Sequence, residues 1–453
     1  MSGLLQGLDM AMRARTAGRK LPRAGMMGCK AMQERYIRPV RAATALTAAL
    51  AISLGAAQAG ALPADLGPAL ARGYIAPAMV EFQQAAVSMR EGMAAFCTGA
   101  SLHAGQADAA PAMPEGSGKS GHEGPQASAS HAREAPPDAL ELDRRFGRLV
   151  QAWSGIAFLR FGPLVDSNRF ERIFFWPDPR GVMLRQIQGQ LAAADKAQAG
   201  AEGAGAPGSI LDPQALATHS VALQGLPALE YMLYRDTGLL RAGAQEAQGF
   251  AAACGYSRAI AGNLASIGSE LASLWGGSGD YAARFSKPAG DNPIYRSNQE
   301  VAGEAVKALS TGLQFTRDIE LLPMLGSGPA KASEKKAPFW RSGKSALALA
   351  ASARGLAAFH DAAGWRYAAD EAWIGSSIDD ELTRAAAAFE SVAQAAAAAP
   401  VQAGALQAWL ETEEGYRQLV LASLLLKNAK GIVDENMAPA FGARIGFNAL
   451  DGD

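Results

Sequence analysis

The segment of this 453-residue chain that most suggests chemistry is Gly225-Leu226-Pro227-Ala228-Leu229-Glu230-Tyr231. Proline has a fixed φ and no amide proton, so Pro227 suits the first turn of a helix, with Gly225 loosening the chain before it. Glu230 would then lie near the positive end of that helix, where a carboxylate is stabilised and stays ionised. Two readings are open: a ligand or hydrogen-bond acceptor at a site, or a carboxylate that only complements the helix end. Two turn segments carry the other candidates, Trp176-Pro177-Asp178-Pro179-Arg180 and Trp340-Arg341-Ser342-Gly343. Each joins a flat apolar ring to a fixed charge with planar donors, which suits an anionic or carboxylate-bearing ligand. The same residue types also serve as packing anchors and as caps on helix carbonyls, and Asp178 between two prolines is also a natural turn residue.

Standard catalytic patterns are missing. His122-Glu123 continues as Gly-Pro-Gln and not toward a second histidine, and neither a P-loop nor a nucleophile elbow occurs. Three of the five histidines, His103, His122 and His131, fall in one Gly/Ala/Ser/Pro-rich stretch, while His219 and His360 read as single histidines in helices. An enzyme would need a nucleophile or a metal-bound water, and no constellation for either is visible. With 42 basic against 43 acidic side chains and no basic run interleaved with aromatics, nucleic acid is an unsuitable partner.

The elements that must position these residues are helices. Met79, Phe82, Ala86, Met89, Met93 and Phe96 alternate steps of three and four, in a helix with Pro77 at its start. Ile260, Leu264, Ile267, Leu271 and Leu274 repeat the pattern, as do Leu406, Trp409, Leu410, Tyr416, Val420 and Leu424. Further Ala-rich helices are expected near 138–160, 180–194, 214–235, 298–325, 345–360 and 373–398. The expectation is an all-α protein of two helical bundles resembling four-helix bundles, 60–275 and 294–453, joined through the Gly/Pro-rich stretch 276–293. Residues 101–137 hold hardly a large apolar side chain, which predicts a disordered insertion. The run Ala197–Gly208 predicts a second surface loop. Phe175-Trp176 and Phe339-Trp340 each lead through a turn into a helix, a hint of internal duplication.

The N-terminus predicts export. Ala42–Ala59 is uncharged, Arg35, Arg38 and Arg41 precede it, and Ala57-Gln58-Ala59 supplies the small residues of a cleavage site before Gly60. Residues 1–59 thus read as a signal peptide whose true start is Met32. The apolar core is too short and Ala-rich to stay as a span, and no later segment is apolar enough to be one. Cleavage removes Cys29 and leaves Cys97 and Cys254, which in an oxidising compartment are expected to pair. The competing reading is two small apolar residues in separate helices.

The segment from Gly225 to Tyr234 resembles the stretch carrying the Gly-x-His-x-x-Glu signature of imelysin-like proteins, a group also filed as M75 peptidases and iron-regulated proteins. Phe161-Gly162-Pro163-Leu164, Arg172–Gly181, Pro338–Gly343 and the ending Gly446–Gly452 carry the resemblance further, across nearly the whole chain from Tyr74. It implies two helical bundles related by duplication, a groove between them, and a place in the periplasm or at the outer membrane in iron uptake. It also implies a site around the signature His and Glu, and here Pro227 stands where the histidine would be. Proline coordinates nothing, so Glu230 would need help from elsewhere, with Asp178 or Tyr234 brought near by the fold. The expected function is a non-enzymatic binding component for iron or another divalent metal, taken as the ion or as a small anionic iron chelate. The alternatives are a metallopeptidase of the M75 type and a helical scaffold for an envelope partner protein.

Overall fold

Apolar stripes at helical spacing account for the architecture, an array of packed helices. The computed structural model describes residues 60–107, 137–199, 210–241, 249–277, 279–397 and 404–444. The main helices are α1 (Ala76–Ala107), α2 (Pro137–Ile156), α3 (Val182–Ala199), α4 (Gly225–Tyr234), α5 (Phe250–Trp275), α6 (Asp280–Ser286), α7 (Asn298–Gln314), α8 (Ser345–Ala362), α9 (Trp373–Ala397), α10 (Ala405–Leu410) and α11 (Glu413–Ile432). Among the described residues there is no strand, only an isolated antiparallel bridge between Ala61 and Arg366.

The stripe Met79, Phe82, Ala86, Met89, Met93 and Phe96 is buried, as are Ile260, Leu264, Ile267 and Leu271. These two stripes meet, since α1 packs along α5 and α2. Helix α2 packs in turn on α8, α8 on α9 and α9 on α11, so the two halves of the sequence join through α2 and α8. Small residues allow that junction. A Cβ on Gly355 would lie 2.6 Å from the carbonyl oxygen of Gly155, the Tyr74 hydroxyl donates to the same carbonyl at 2.6 Å, and Ser352 Oγ donates to Ser154 O at 3.3 Å. Cys97 of α1 and Cys254 of α5 form the expected disulfide.

Three helical stretches contain a π segment: Ala71–Ile75, Phe315–Leu321 and Val433–Met437. Each is followed two residues later by a proline, Pro77, Pro323 or Pro439. A proline inside a helix removes one amide donor and crowds the carbonyl four residues back, and a one-residue widening of the register relieves both. Pro77 therefore does not start its helix. Helical structure begins at Leu66 and runs through the π turn into α1.

Other boundaries differ from expectation for local reasons. Helix α1 continues to Ala107, because Leu102, Ala104 and Ala107 sustain a helix where an insertion from 101 was expected. Helix α2 starts at Pro137, where a proline fits the first turn; residues 108–136 lie outside the described residues. Likewise α3 reaches Ala199 within the second expected loop, of which 200–209 lie outside the described residues. The stripe 406–424 is divided, since Thr412 caps α11 by accepting from Gly415 N at 3.0 Å. The stretch 276–293 contains the short helix α6. The expected signal peptide, residues 1–59, and the ending Gly446–Gly452 lie outside the described residues.

Candidate functional site

Helix α4 is buried along its whole length, and its start is fixed by backbone packing. Gly225 has φ +80°, and a Cβ there would sit 2.3 Å from Ile173 O and 2.6 Å from Arg172 O, so only glycine fits. Gln224, just before it, anchors a buried polar clamp. Its Oε1 accepts from Arg172 Nε at 3.1 Å and from Asn263 Nδ2 at 2.9 Å, and its amide donates to His219 O at 2.9 Å. The Arg172 guanidinium also donates to Asn263 Oδ1 at 2.9 Å. Pro227 is the third residue of α4, where its missing donor leaves no bond unmade. His219 lies in the bend before this clamp and not in a helix.

Glu230 lies beyond the first turn of α4, so the helix end does little to hold its charge. A turn from the far half of the sequence holds it instead. Ser342 donates its backbone N–H at 2.9 Å and its hydroxyl at 2.8 Å to Glu230 Oε1. The carboxyl is only 3% exposed, and burial pushes its pKa up against the downward pull of the Ser342 donors, the Arg341 charge and the Arg341 backbone N–H. The turn itself is tightly set: Phe339 has φ +57°, Lys344 N donates to Phe339 O at 3.0 Å, and the Phe339 ring stacks on Phe174 with centroids 5.4 Å apart. The two Phe-Trp turns noticed in the sequence are thus neighbours. The helix end just before the first, Arg172 and Ile173, supplies the carbonyls against which Gly225 packs, and the second carries the donors that Glu230 accepts from.

Tyr234, one turn after Glu230, donates to Asp143 Oδ1 at 2.8 Å, and Lys344 Nζ donates to Asp143 Oδ2 at 2.8 Å. Tyr234 is therefore committed to Asp143. Around the opposite side gather four cations. The Arg341 guanidinium lies 4.4 Å from the Trp340 ring centroid and 5.4 Å from that of Tyr231; Arg235 lies 5.3 Å from Tyr231, and Lys335 5.8 Å from Trp340. Arg241 donates to Arg341 O at 3.1 Å. The Nε atoms of Arg235 and Arg241 are buried and have no hydrogen-bond partner among the described residues. Arg241 also pairs with Asp236 at 3.5 Å; guanidinium donors beside aromatic faces are of the kind that can pair with planar anionic oxygen groups.

The first turn is built otherwise. Asp178 accepts from Val182 N and Met183 N, both at 2.9 Å, and so caps α3 with both carboxylate oxygens. Trp176 packs against the core with its Nε1 buried and without a partner among the described residues. Arg180 is exposed, and its carbonyl accepts from Arg185. Of the sequence candidates, the structure brings together Glu230, Arg341 and Ser342. Sequence reasoning did not find Arg172, Gln224, Asn263 and Arg241, whose partners lie far along the chain, or the cations Arg235 and Lys335 beside Tyr231 and Trp340.

A second buried glutamate belongs to the π segment Phe315–Leu321. Glu320 is 4% exposed and its Oε2 has no partner among the described residues. Burial raises its pKa to about 8, opposed by the charge of Arg160. The Arg160 guanidinium lies 4.0 Å from the Phe170 ring centroid and 5.0 Å from that of Phe315. His360 is held at Nδ1 by Asp379 at 2.7 Å and at Nε2 by the Tyr367 hydroxyl at 3.2 Å, a structural role. Among the described residues, no group of three or more His, Cys, Asp or Glu side chains is placed to hold a metal ion.

The sequence pattern of imelysin matches residues 125–420, about two thirds of the chain and including α4 and both turns. The chain belongs to the imelysin family. A crystal structure of an imelysin-like protein from Psychrobacter arcticum 273-4 superposes with a TM-score of 0.58 at 16% identity, covering 86% of this chain and 99% of that one, which shows a shared imelysin fold. A candidate iron-regulated protein A precursor from Parabacteroides distasonis ATCC 8503 is also similar, with a TM-score of 0.49 and 12% identity over 83% of this chain and 96% of that one. Comparison with curated proteins finds no match.

Proposed function

We propose that this imelysin-family protein is an exported, non-enzymatic binding component of iron or metal uptake. It works in the periplasm and captures a small anionic ligand, such as a carboxylate-bearing iron chelate, in the groove between its two bundles. The observation that carries this reading is the pair of orphaned Nε donors on Arg235 and Arg241, beside Arg341 stacked on Trp340. A chelate brings its own metal ligands, so Pro227 in place of the signature histidine does not prevent capture. Glu230 then acts through Ser342: it fixes the turn that carries Arg341.

Export is supported by the charge step and small-residue cleavage site before Gly60 and by the Cys97–Cys254 disulfide, a bond suited to an oxidising compartment. No helix among the described residues is long and apolar enough to cross a membrane. The peptidase reading has less support, because Pro227 offers no ligand and Glu230 Oε1 is occupied by Ser342. The test is titration calorimetry with citrate and with ferric citrate. Binding that weakens at least tenfold in Arg341→Ala and in Arg235→Ala supports the proposal. Equal affinity in both variants, or no binding together with recovery of a cross-linked envelope partner, overturns it.

A further inference from the structure

Phe161-Gly162-Pro163-Leu164, one of the segments that carries the family resemblance, takes no part in the Glu230 site. Its Gly162 and Pro163 line a separate polar cavity of about 540 Å³, walled also by the chain around α6 and by α7. Two tyrosines meet there, with Tyr281 Oη and Tyr295 Oη 2.7 Å apart. Tyr295 Oη also lies 3.5 Å from Glu304 Oε2, and Asp166 lines the same cavity. The cations nearby are already engaged: Arg169 Nε donates to Glu270 at 2.9 Å, and Arg284 pairs with Asp280 at 2.6 Å. Glu304 and Asp166 are therefore the carboxylates left to face an incoming charge.

The tyrosine pair is held by packing. Tyr281 meets Trp275 edge-on at 5.0 Å, and Tyr295 meets Phe285 at 5.2 Å. Gly162, at φ +54°, leaves room for the Tyr281 ring, because a Cβ there would lie 2.3 Å from Tyr281 Cζ. We propose that this cavity binds a hard trivalent cation of the ferric class, with Tyr281 and Tyr295 as phenolate ligands and Glu304 and Asp166 as carboxylate ligands.

The geometry suits that ion. A small hard cation bound octahedrally at about 2 Å places adjacent ligand oxygens about 2.8 Å apart, close to the spacing of the two hydroxyls. In the free protein that spacing is an O–H···O hydrogen bond. An all-oxygen set with two phenols selects by hardness. Four negative ligands nearly balance a 3+ charge, whereas a divalent ion draws less on phenol oxygens. On binding, the two phenol O–H bonds break, two metal–oxygen bonds form, both protons leave to solvent and no electron is transferred. This site is independent of the anion receptor at Trp340 and Arg341.

The test loads the full chain with Fe(III) supplied as ferric nitrilotriacetate and follows the visible phenolate-to-iron charge-transfer absorption, with resonance Raman for tyrosinate vibrations. The expected result is one equivalent of iron with both signatures, displaced by Ga(III) and not by Zn(II). Both signatures should be lost in Tyr281→Phe and in Tyr295→Phe, the affinity should fall at least tenfold in Glu304→Gln, and all should be unchanged in Arg341→Ala. Phenylalanine keeps the ring contacts, and far-UV circular dichroism checks that the helices persist. Absence of tyrosinate vibrations in the loaded native chain, or a band that survives in the double Tyr→Phe variant, overturns the proposal. Failure of citrate binding in Arg341→Ala with the iron band intact separates this site from the anion receptor.

Discussion

Glu230 and Glu320 are buried almost equally, at 3% and 4% exposure, and burial pushes the pKa of both upward. Their surroundings differ. Glu230 Oε1 receives two donors from Ser342, one of them a backbone N–H that cannot rotate away. Among the described residues, Glu320 has an oxygen with no partner and depends on Arg160, whose NH1 is itself buried without a partner. The first carboxyl is part of the structure of a turn, and the second is a sparsely partnered acid that burial keeps protonated up to about pH 8. Depth of burial is thus a poor guide to what a buried acid does, and the donors that reach it decide.

The strongest challenge to this contrast removes the frame that aims Glu230. Gly225→Ala combines an L side chain at φ +80° with a clash against the carbonyls of Ile173 and Arg172, and is expected to cost about 3 kcal/mol or more, read as a fall in urea midpoint. Next comes Glu230→Ala, which strands the Ser342 donors in a buried position at a cost of about 2 kcal/mol, with loss of citrate binding because the Arg341 turn is released. Glu230→Gln keeps one acceptor and should cost about 1 kcal/mol; a cost equal to that of alanine would show that the charge matters and not the acceptor.

A pH-dependent effect belongs to Glu320. Its folded pKa, about 8, lies above the ordinary 4.5, so the folded chain holds a proton that the unfolded chain releases. The stability this gives is complete below about pH 4.5 and is lost as pH rises through about 8. Urea unfolding across that window should show a decline that flattens in Glu320→Gln, and an unchanged slope would contradict the assignment. The smallest effect is expected from Arg180→Ala. The exposed side chain at the first turn should leave both stability and citrate affinity within about 0.5 kcal/mol of the parent, in contrast to Arg341→Ala at the second.

The helices were legible because core positions repeat with the helical period, and Gly225 and Pro227 announced the start of α4. Glu230 was legible as a position, though for a reason the fold replaces: Ser342, more than a hundred residues away, holds it and not the helix end. Asp178 shows the converse, since the turn reading suggested by its flanking prolines describes its contacts with Val182 and Met183. The clamp of Arg172, Gln224 and Asn263 was hidden because each member is an ordinary polar residue until three distant segments meet. The π segments were missed because a proline read locally suggests a helix start, whereas Pro77, Pro323 and Pro439 each sit just inside a continuing helix.

The bond between Cys97 and Cys254 joins residues 157 positions apart and closes that stretch of chain into one covalent ring. Residues 108–136, α2, the first Phe-Trp turn, Glu230 and, of the clamp, Arg172 and Gln224 lie inside that ring, while Asn263 lies beyond it on α5. A single protease cut anywhere within it opens a circle without releasing a fragment, so a nicked molecule still migrates as one chain until a reductant is added. The protein can therefore be cut once within the ring in a protease-rich environment and keep α1 tethered to α5, which in turn supports the helix bearing Glu230.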